Sequence, residues 1–382
     1  MSGTMSGTTA GAGGADGVLE CGVVVIGGGI AGLSLAAVLA PRTGVVLLEA
    51  EEELAHHTSS RSAQQLIPSY GPEPVRALTR RTLEALAALP PGPRGPLAWP
   101  SSFLMVGTRR DVDAHGSDAM AGIGRAEALR LSPVLRPEAF EAAGLDATSV
   151  RTDAAGLIEH HRRLARGHGA AVLTGQRVVG AERVDGSWTV RTAAGAVVRA
   201  PWLVDAAGAW ADGVARAAGA APLGLVPLRR TAAYVRVAEP LPEGTPMTAA
   251  ADDSWYFRRE GELVLVSPAE SEPAEPGDAQ PRAADVADVV RRIEAATTLQ
   301  VTGVERAWTG LRTEAPDGVP VLGPDPDVPG FFWLAGQGGY GFQTSTGMAE
   351  LAAALLLGDQ PPFGPDVVAA LSPGRFRRRA TE

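Results

Sequence analysis

Three glycines and one glutamate carry the first chemistry in this chain. Gly27-x-Gly29-x-x-Gly32 is followed by Glu49, 22 residues after Gly27. In this spacing the first glycine permits a tight turn. The second lets the backbone approach a pyrophosphate, and the third lets a helix pack on a strand. Ile30 and Ala31 begin that helix, whose free N–H groups and partial positive charge suit phosphates. Glu49, with Ala50 beside it, stands where an acidic side chain accepts hydrogen bonds from ribose hydroxyls. The pattern reads as a dinucleotide cradle and does not separate NAD from FAD.

Strands and helices must hold these residues. Val23–Ala40, "VVVIGGGIAGLSLAAVLA", is 18 residues without a charge. A membrane span needs about 20 apolar residues, and three consecutive glycines make a poor centre for one. It reads instead as a buried strand (Gly22–Gly27) and a helix (Ile30–Ala40), with a second buried strand at Gly44–Ala50, a βαβ unit. Ala170–Gly208 reads as several strands, one pair forming a hairpin. Gly330–Gly358 reads as a strand, a glycine-rich loop and a helix starting near Phe342. The stretches between, 70–150 and 227–300, differ in texture.

The expected architecture is therefore α/β with an interleaved α+β unit. A Rossmann-like nucleotide-binding domain would take residues 20–75, 151–225 and 301–372. An antiparallel-sheet substrate domain would take 76–150 and 226–300. Residues 1–19, rich in Gly, Ser, Thr and Ala, are expected to be disordered. The basic run Arg375–Arg379 within 373–382 is expected to be a solvated tail.

Composition narrows the function classes. The 382 residues carry a net charge of −9, which argues against non-specific nucleic-acid binding. One cysteine, Cys21, excludes an intrachain disulfide and a thiolate metal cluster. Residues 1–19 contain no Lys or Arg, so no signal peptide is expected, and a cytoplasmic location is. His115, His160, His161 and His168 show no metal-ligand spacing and read as solvent-facing or turn residues. No metal site is expected.

Several separated stretches together carry a resemblance. They are "VVVIGGGIAGLSLA" with "LLEAE", "HHTSSRSAQQLIPSYG" with "VRALT", "VDAAGAWAD", "PLGLVPLRR", "IEAATTL", "AWTGLR" and "GFFWLAGQGGYGFQTS". Over residues 20–373 the chain resembles the D-amino acid oxidase-like family of FAD-dependent oxidoreductases. More narrowly, it is similar to the bacterial D-arginine dehydrogenase subgroup. The resemblance implies non-covalent FAD. It implies that Ser59, Ser60, Arg61, Ser62, Ala63 and Gln64 touch the cofactor. Ala206, Ala207, Gly208 and Trp210 match a second flavin-contacting turn, and Val178 a backbone contact to adenine. Gly310 and the loop Gly338, Gly339, Tyr340, Gly341, Phe342 and Gln343 complete the set. Four glycines between Gly336 and Gly341 suit a loop lying against a planar ring. The helix beyond it would aim its positive end at the flavin N1/C2=O region.

On the substrate side the resemblance implies that Arg312 clamps a carboxylate, for which a guanidinium offers two parallel hydrogen bonds. Tyr256 would also hold the carboxylate. Tyr70 would lie on a lid-like segment, and Arg230 and Gln343 would be further pocket residues, with Gly339 and Met247 beside them. The departures are informative. D-arginine-specific relatives place an acidic residue where this chain has Phe103. They place His and Thr where it has Gln65 and Ile67. A buried guanidinium without a partner costs several kcal/mol, so D-Arg and D-Lys should be poor substrates and the pocket apolar or aromatic.

The expected reaction is oxidation of the C–N bond of an amino acid, a D-amino acid with a neutral or apolar side chain. Hydride would leave Cα for flavin N5, and the imino acid would hydrolyse to an oxo acid and ammonia. Electrons would pass to O₂ or a quinone-type acceptor. The alternatives are a secondary-amine oxidase of the sarcosine or glycine oxidase type, a specialised biosynthetic amine oxidase, and a non-catalytic flavin-binding protein.

Overall fold

Val23–Ile26 and Val45–Leu48 are buried along their whole length, as strands covered on both faces must be. In the computed structural model, which describes residues 17–92 and 95–379, they form the centre of a six-stranded sheet. Its order is Ala171–Leu173, Val45–Leu48, Val23–Ile26, Trp202–Asp205, Phe331–Ala335 and Val321–Pro324. All neighbours run parallel except the last pair. The chain leaves Val23–Ile26 in one direction and resumes beside it with Trp202–Asp205. That reversal of strand order is where doubly wound sheets open a crevice for ligands.

Two helices close one face of this sheet. Ile30–Leu39 and Ser345–Leu357 are apolar nearly all round, and Leu33, Leu35, Leu39, Met348 and Leu351 share one core with Val25 and Leu47. Burying each large apolar side chain stabilises by roughly 1.5–3 kcal/mol. The second helix starts at Ser345 rather than near Phe342, because residues up to Thr344 form turns.

A second, nine-stranded sheet is built on two long antiparallel strands, Val226–Val237 and Val301–Glu314. Their register pairs Leu228 with Arg312 and Arg230 with Gly310. Paired residues and their i±2 neighbours share a face, so Arg230 and Arg312 project to the same side. Residues 301–314 thus belong to this larger sheet, whereas the sequence pattern grouped them with the nucleotide-binding unit. Hydrogen bonding along a fourteen-residue strand outweighs proximity in sequence to the next βα segment.

Three other expectations are corrected. Val18–Glu20 is a strand pairing in parallel with Val197–Ala200, so order begins inside the stretch expected to be disordered; residues 1–16 lie outside the described ones. Pro373–Arg379 is a 3₁₀ helix, not a solvated tail. Arg375 donates to both Asp317 carboxylate oxygens, at 2.8 and 3.1 Å, and to the Val319 carbonyl at 2.6 Å. His161 is buried in the helix Ala154–Gly167 rather than solvent-facing, and neither ring nitrogen has a partner among the described residues.

Burial pushes the His161 imidazole down to about 3, with the neighbouring His160 adding to the effect. A ring held neutral in the fold protonates more readily when unfolded. Its contribution is intact above the unfolded value of about 6.5 and is lost as pH falls from there toward 3. At pH 5 the loss is ~2 kcal/mol. Urea unfolding should therefore show wild type losing this stability between pH 7 and pH 5, while His161→Leu loses ~2 kcal/mol less over the same interval.

Candidate active site

A cavity of about 330 Å³ lies at the crevice, bounded by Gly27, Gly29, Ile30, Ala31, Glu49, Ala50, and the turn Ala206–Trp210. Gly27 has φ +111°, and a Cβ there would stand 2.4 Å from the Ala206 carbonyl oxygen. A Cβ on Gly32 would stand 2.0 Å from the Gly27 carbonyl oxygen. Both positions exclude any side chain, so helix, strand and turn meet at backbone contact. The first-turn N–H groups of Ala31 and Gly32 have no acceptor within the helix. The Ile30 N–H donates to Ser59 Oγ at 3.0 Å. Glu49 accepts from the Gly28 N–H at 2.6 Å and the Glu51 N–H at 2.9 Å, which holds its carboxylate at the strand end. Val178 and Trp210 line the same cavity.

Sequence reasoning assigned no role to His57. Its ring lies 4.6 Å from that of Trp210, its Nε2 is 3.1 Å from Glu51 Oε1, and its buried Nδ1 has no partner among the described residues. The His57 hydrogen bond holds the Glu51 carboxyl below its usual range. Adjacent histidines just before a polar turn were the available signal.

A smaller space of about 100 Å³ continues from the first and shares Ile30, Thr58, Ser59, Gly338 and Gly341 with it. Ser62, Ala63, Gln64, Gln65, Gly310, Gly339, Phe342 and Gln343 border it, with Arg230, Tyr256 and Arg312 opposite. The Arg312 guanidinium makes no hydrogen bond or ion pair among the described residues. It lies so close to the glycine loop that a Cβ on Gly339 would be 2.8 Å from its Nη1. Arg230 donates to the Glu270 carbonyl and to Ser271 Oγ, both at 2.8 Å. Burial first, and then the like charge of Arg312, push the Arg230 guanidinium down. Two cations therefore face one space.

Other expected site residues serve as supports. Ser60 Oγ donates to the His56 and His57 carbonyls, so it caps its own turn. Arg61 borders the smaller space, and its guanidinium donates to Asp278 and to the Thr309 and Ala279 carbonyls. Gln65 donates to the Ser101 carbonyl at 2.6 Å and Ser149 Oγ at 2.8 Å. Gln343 donates to Thr79 Oγ1 at 3.0 Å and accepts from the Ile67 N–H at 3.3 Å. Ile67, Phe103 and Met247 pack with Tyr256 in a closed apolar cluster and do not border the space. Tyr70 stacks obliquely on Tyr340 with centroids 5.5 Å apart. Burial pushes the Tyr70 hydroxyl up, so it stays a donor at neutral pH.

A family model, FAD dependent oxidoreductase (DAO), matches residues 22–355. The chain belongs to this family. The hydrogen cyanide synthase subunit HcnC of Pseudomonas aeruginosa is 27% identical over 194 residues, which are 50% of this chain and 45% of that protein. The chain thus spans about half the length of that curated relative. A D-amino acid dehydrogenase of Rhizobium johnstonii is 48% identical over 54 residues, 14% of this chain and 13% of that protein. The glycine oxidase structure from Geobacillus kaustophilus has a TM-score of 0.78 at 22% identity, covering 90% of this chain and 96% of that one. No helix among the described residues is long and apolar enough to cross a membrane.

The residues present fit the family's cofactor. The cradle has no room for a Cβ at Gly27 or Gly32, the first-turn N–H groups of Ala31 and Gly32 have no acceptor within the helix, and an acidic side chain ends the second strand. Gly32→Ala must push the helix off the strand. The variant should retain less than a hundredth of wild-type FAD affinity, read as loss of flavin absorbance after gel filtration and as the dissociation constant of added FAD.

Proposed function

We propose that the chain uses FAD to oxidise the C–N bond of a free D-amino acid with a neutral or apolar side chain. The observation that carries this reading is the Arg312 guanidinium, which borders the smaller space without a partner among the described residues. Half-buried and unpaired among the described residues, this charge attracts an anion more strongly than a fully solvated one would. A substrate carboxylate would pair it bidentately, and the Tyr256 hydroxyl would take a further oxygen. When bound, FAD would supply the two-electron acceptor.

The chain's own part is orientation. Arg312 and Tyr256 would hold the carboxylate so that Cα faces the ring end of the cofactor. Arg230, kept charged beside them, would draw the anion in. The glycine loop Gly338–Gly341 would keep bulk and water out from the other side. No carboxylate is among the side chains bordering the space, so a basic substrate side chain would find no counter-charge there. The D hand rests on the short match to a D-amino acid dehydrogenase. No side-chain base is required if the amine binds neutral, so the rate should rise with pH as the amine deprotonates.

Anaerobic addition of D-Leu, D-Met and D-Phe should bleach the flavin band, and D-Arg and the L-isomers should do so at least tenfold more slowly. Arg312→Met should raise the half-bleaching concentration of the best substrate about 100-fold, the loss of a charge-assisted bidentate pair. Bleaching by L-isomers or D-Arg at equal or greater rates would overturn the substrate class.

A further inference from the structure

The strand Tyr256–Glu260 places Tyr256, Arg258 and Glu260 on one face, since side chains alternate along a strand. Tyr256 borders the smaller space. The two charged residues behind it have no role in the reaction described above. Arg258 is 3% exposed. It donates through Nη1 to the Ala63 carbonyl and through Nη2 to Glu260 at 2.8 Å. Arg151 reaches the same Glu260 carboxylate, with Nη2 at 2.6 Å from Oε2, and Gln64 Oε1 at 3.3 Å. Its guanidinium also lies 5.4 Å over the Trp99 ring.

These partners converge on one short turn. Gln64 has φ +60°, a left-handed conformation that side chains rarely adopt and that costs on the order of 1–3 kcal/mol. Four contacts hold it there. Ser62 Oγ accepts the Gln64 N–H at 2.9 Å, and the Gln64 carbonyl accepts the Thr152 N–H at 3.0 Å. Arg258 and Arg151 hold the Ala63 carbonyl and the Gln64 side chain. Ala63 and Gln64 border the space where the larger cavity meets Arg312, which is the end opposite the glutamate-bearing nucleotide cradle.

We propose that Arg151, Arg258 and Glu260 are positioning residues for the ring end of FAD: they clamp the Ala63–Gln64 turn and set one net positive charge behind it, favouring the reduced cofactor. The inference rests on the FAD reading above and not on the substrate class. Two guanidiniums against one carboxylate leave one charge uncompensated within the trio. Burial pushes the Arg258 guanidinium down, with Arg151 adding to this and Glu260 opposing it. The contacts of Glu260 with both arginines overcome its own burial and hold its carboxyl low. A cation in a partly dry setting stabilises added negative charge nearby far more than it would in water.

The test is the midpoint potential of the bound flavin, measured anaerobically by dye-coupled reduction, together with the FAD dissociation constant. Glu260→Gln removes the negative charge and should raise the potential. Arg151→Gln removes a positive charge and should lower it. The double variant restores a net charge of one and should return close to wild type, and Arg258→Lys should keep most of the wild-type value. A merely structural role would move both single variants in the same direction and further in the double. Same-direction shifts, no shift, or loss of bound FAD in all variants would overturn the proposal. Because the reductant is chemical, a flavin that no amino acid bleaches would sink the substrate reading while these potentials still decided the trio. A wild-type protein that takes up no FAD would sink both.

Discussion

Everything around the smaller space answers one electrostatic constraint. The register of two long strands brings Arg230 and Arg312 to the same side, where two like charges border one half-buried space. Arg230 is partly relieved by neutral acceptors, a backbone carbonyl and a serine hydroxyl. Arg312 is not relieved by the chain at all among the described residues. The glycine loop lies against that guanidinium, and a methyl at Gly339 would require it to shift. In the proposed reading, the carboxylate of a bound substrate would complete the arrangement.

The same logic of exclusion governs the nucleotide end. The clearance at Gly27 and Gly32 is too small for any side chain, so the helix Ile30–Leu39 packs at backbone distance on the sheet with its N-terminus at the crevice. The six-stranded sheet therefore ends at the larger cavity, and the larger sheet carries Arg230 and Arg312 to the smaller space. The turns Thr58–Gln64 and Gly336–Gln343 join the two ends, each held by bonds to distant strands, such as Thr58 Oγ1 to the Leu311 carbonyl at 2.8 Å.

Much of this is legible in the sequence, for a physical reason. A phosphate cradle is local: its glycines, helix start and acidic partner fall within one βαβ unit, so spacing alone reveals Gly27, Gly32 and Glu49. The glycine-rich run before Ser345–Leu357 is visible for the same reason. Contacts made by the fold are not. Arg258 meets Ala63 across 195 positions, and Arg151 meets Glu260 across 109, so neither pair leaves a pattern to read. Arg61 borders the smaller space as its segment suggests, but its bonds to Asp278 and Thr309, far along the chain, leave no pattern to read. Ile67, Phe103 and Met247 are apolar, as a substrate pocket would require, but apolar residues also close on each other, and here they do. His161 reads like a surface residue because one histidine in a helix cannot announce that Ile30–Leu39 packs over that helix.

The central claim is that the Arg312 side of the site is an anion receptor beside the cofactor. It can be tested without turnover. The FAD-loaded protein is titrated with a simple non-oxidisable carboxylate, such as cyclohexanecarboxylate, and with the matching neutral amide, while the flavin spectrum is recorded at low and high salt. The account predicts a saturable spectral change with the carboxylate, weakened by salt, and at least 100-fold weaker binding of the amide. Equal binding of the two, or a carboxylate that perturbs nothing, would contradict it.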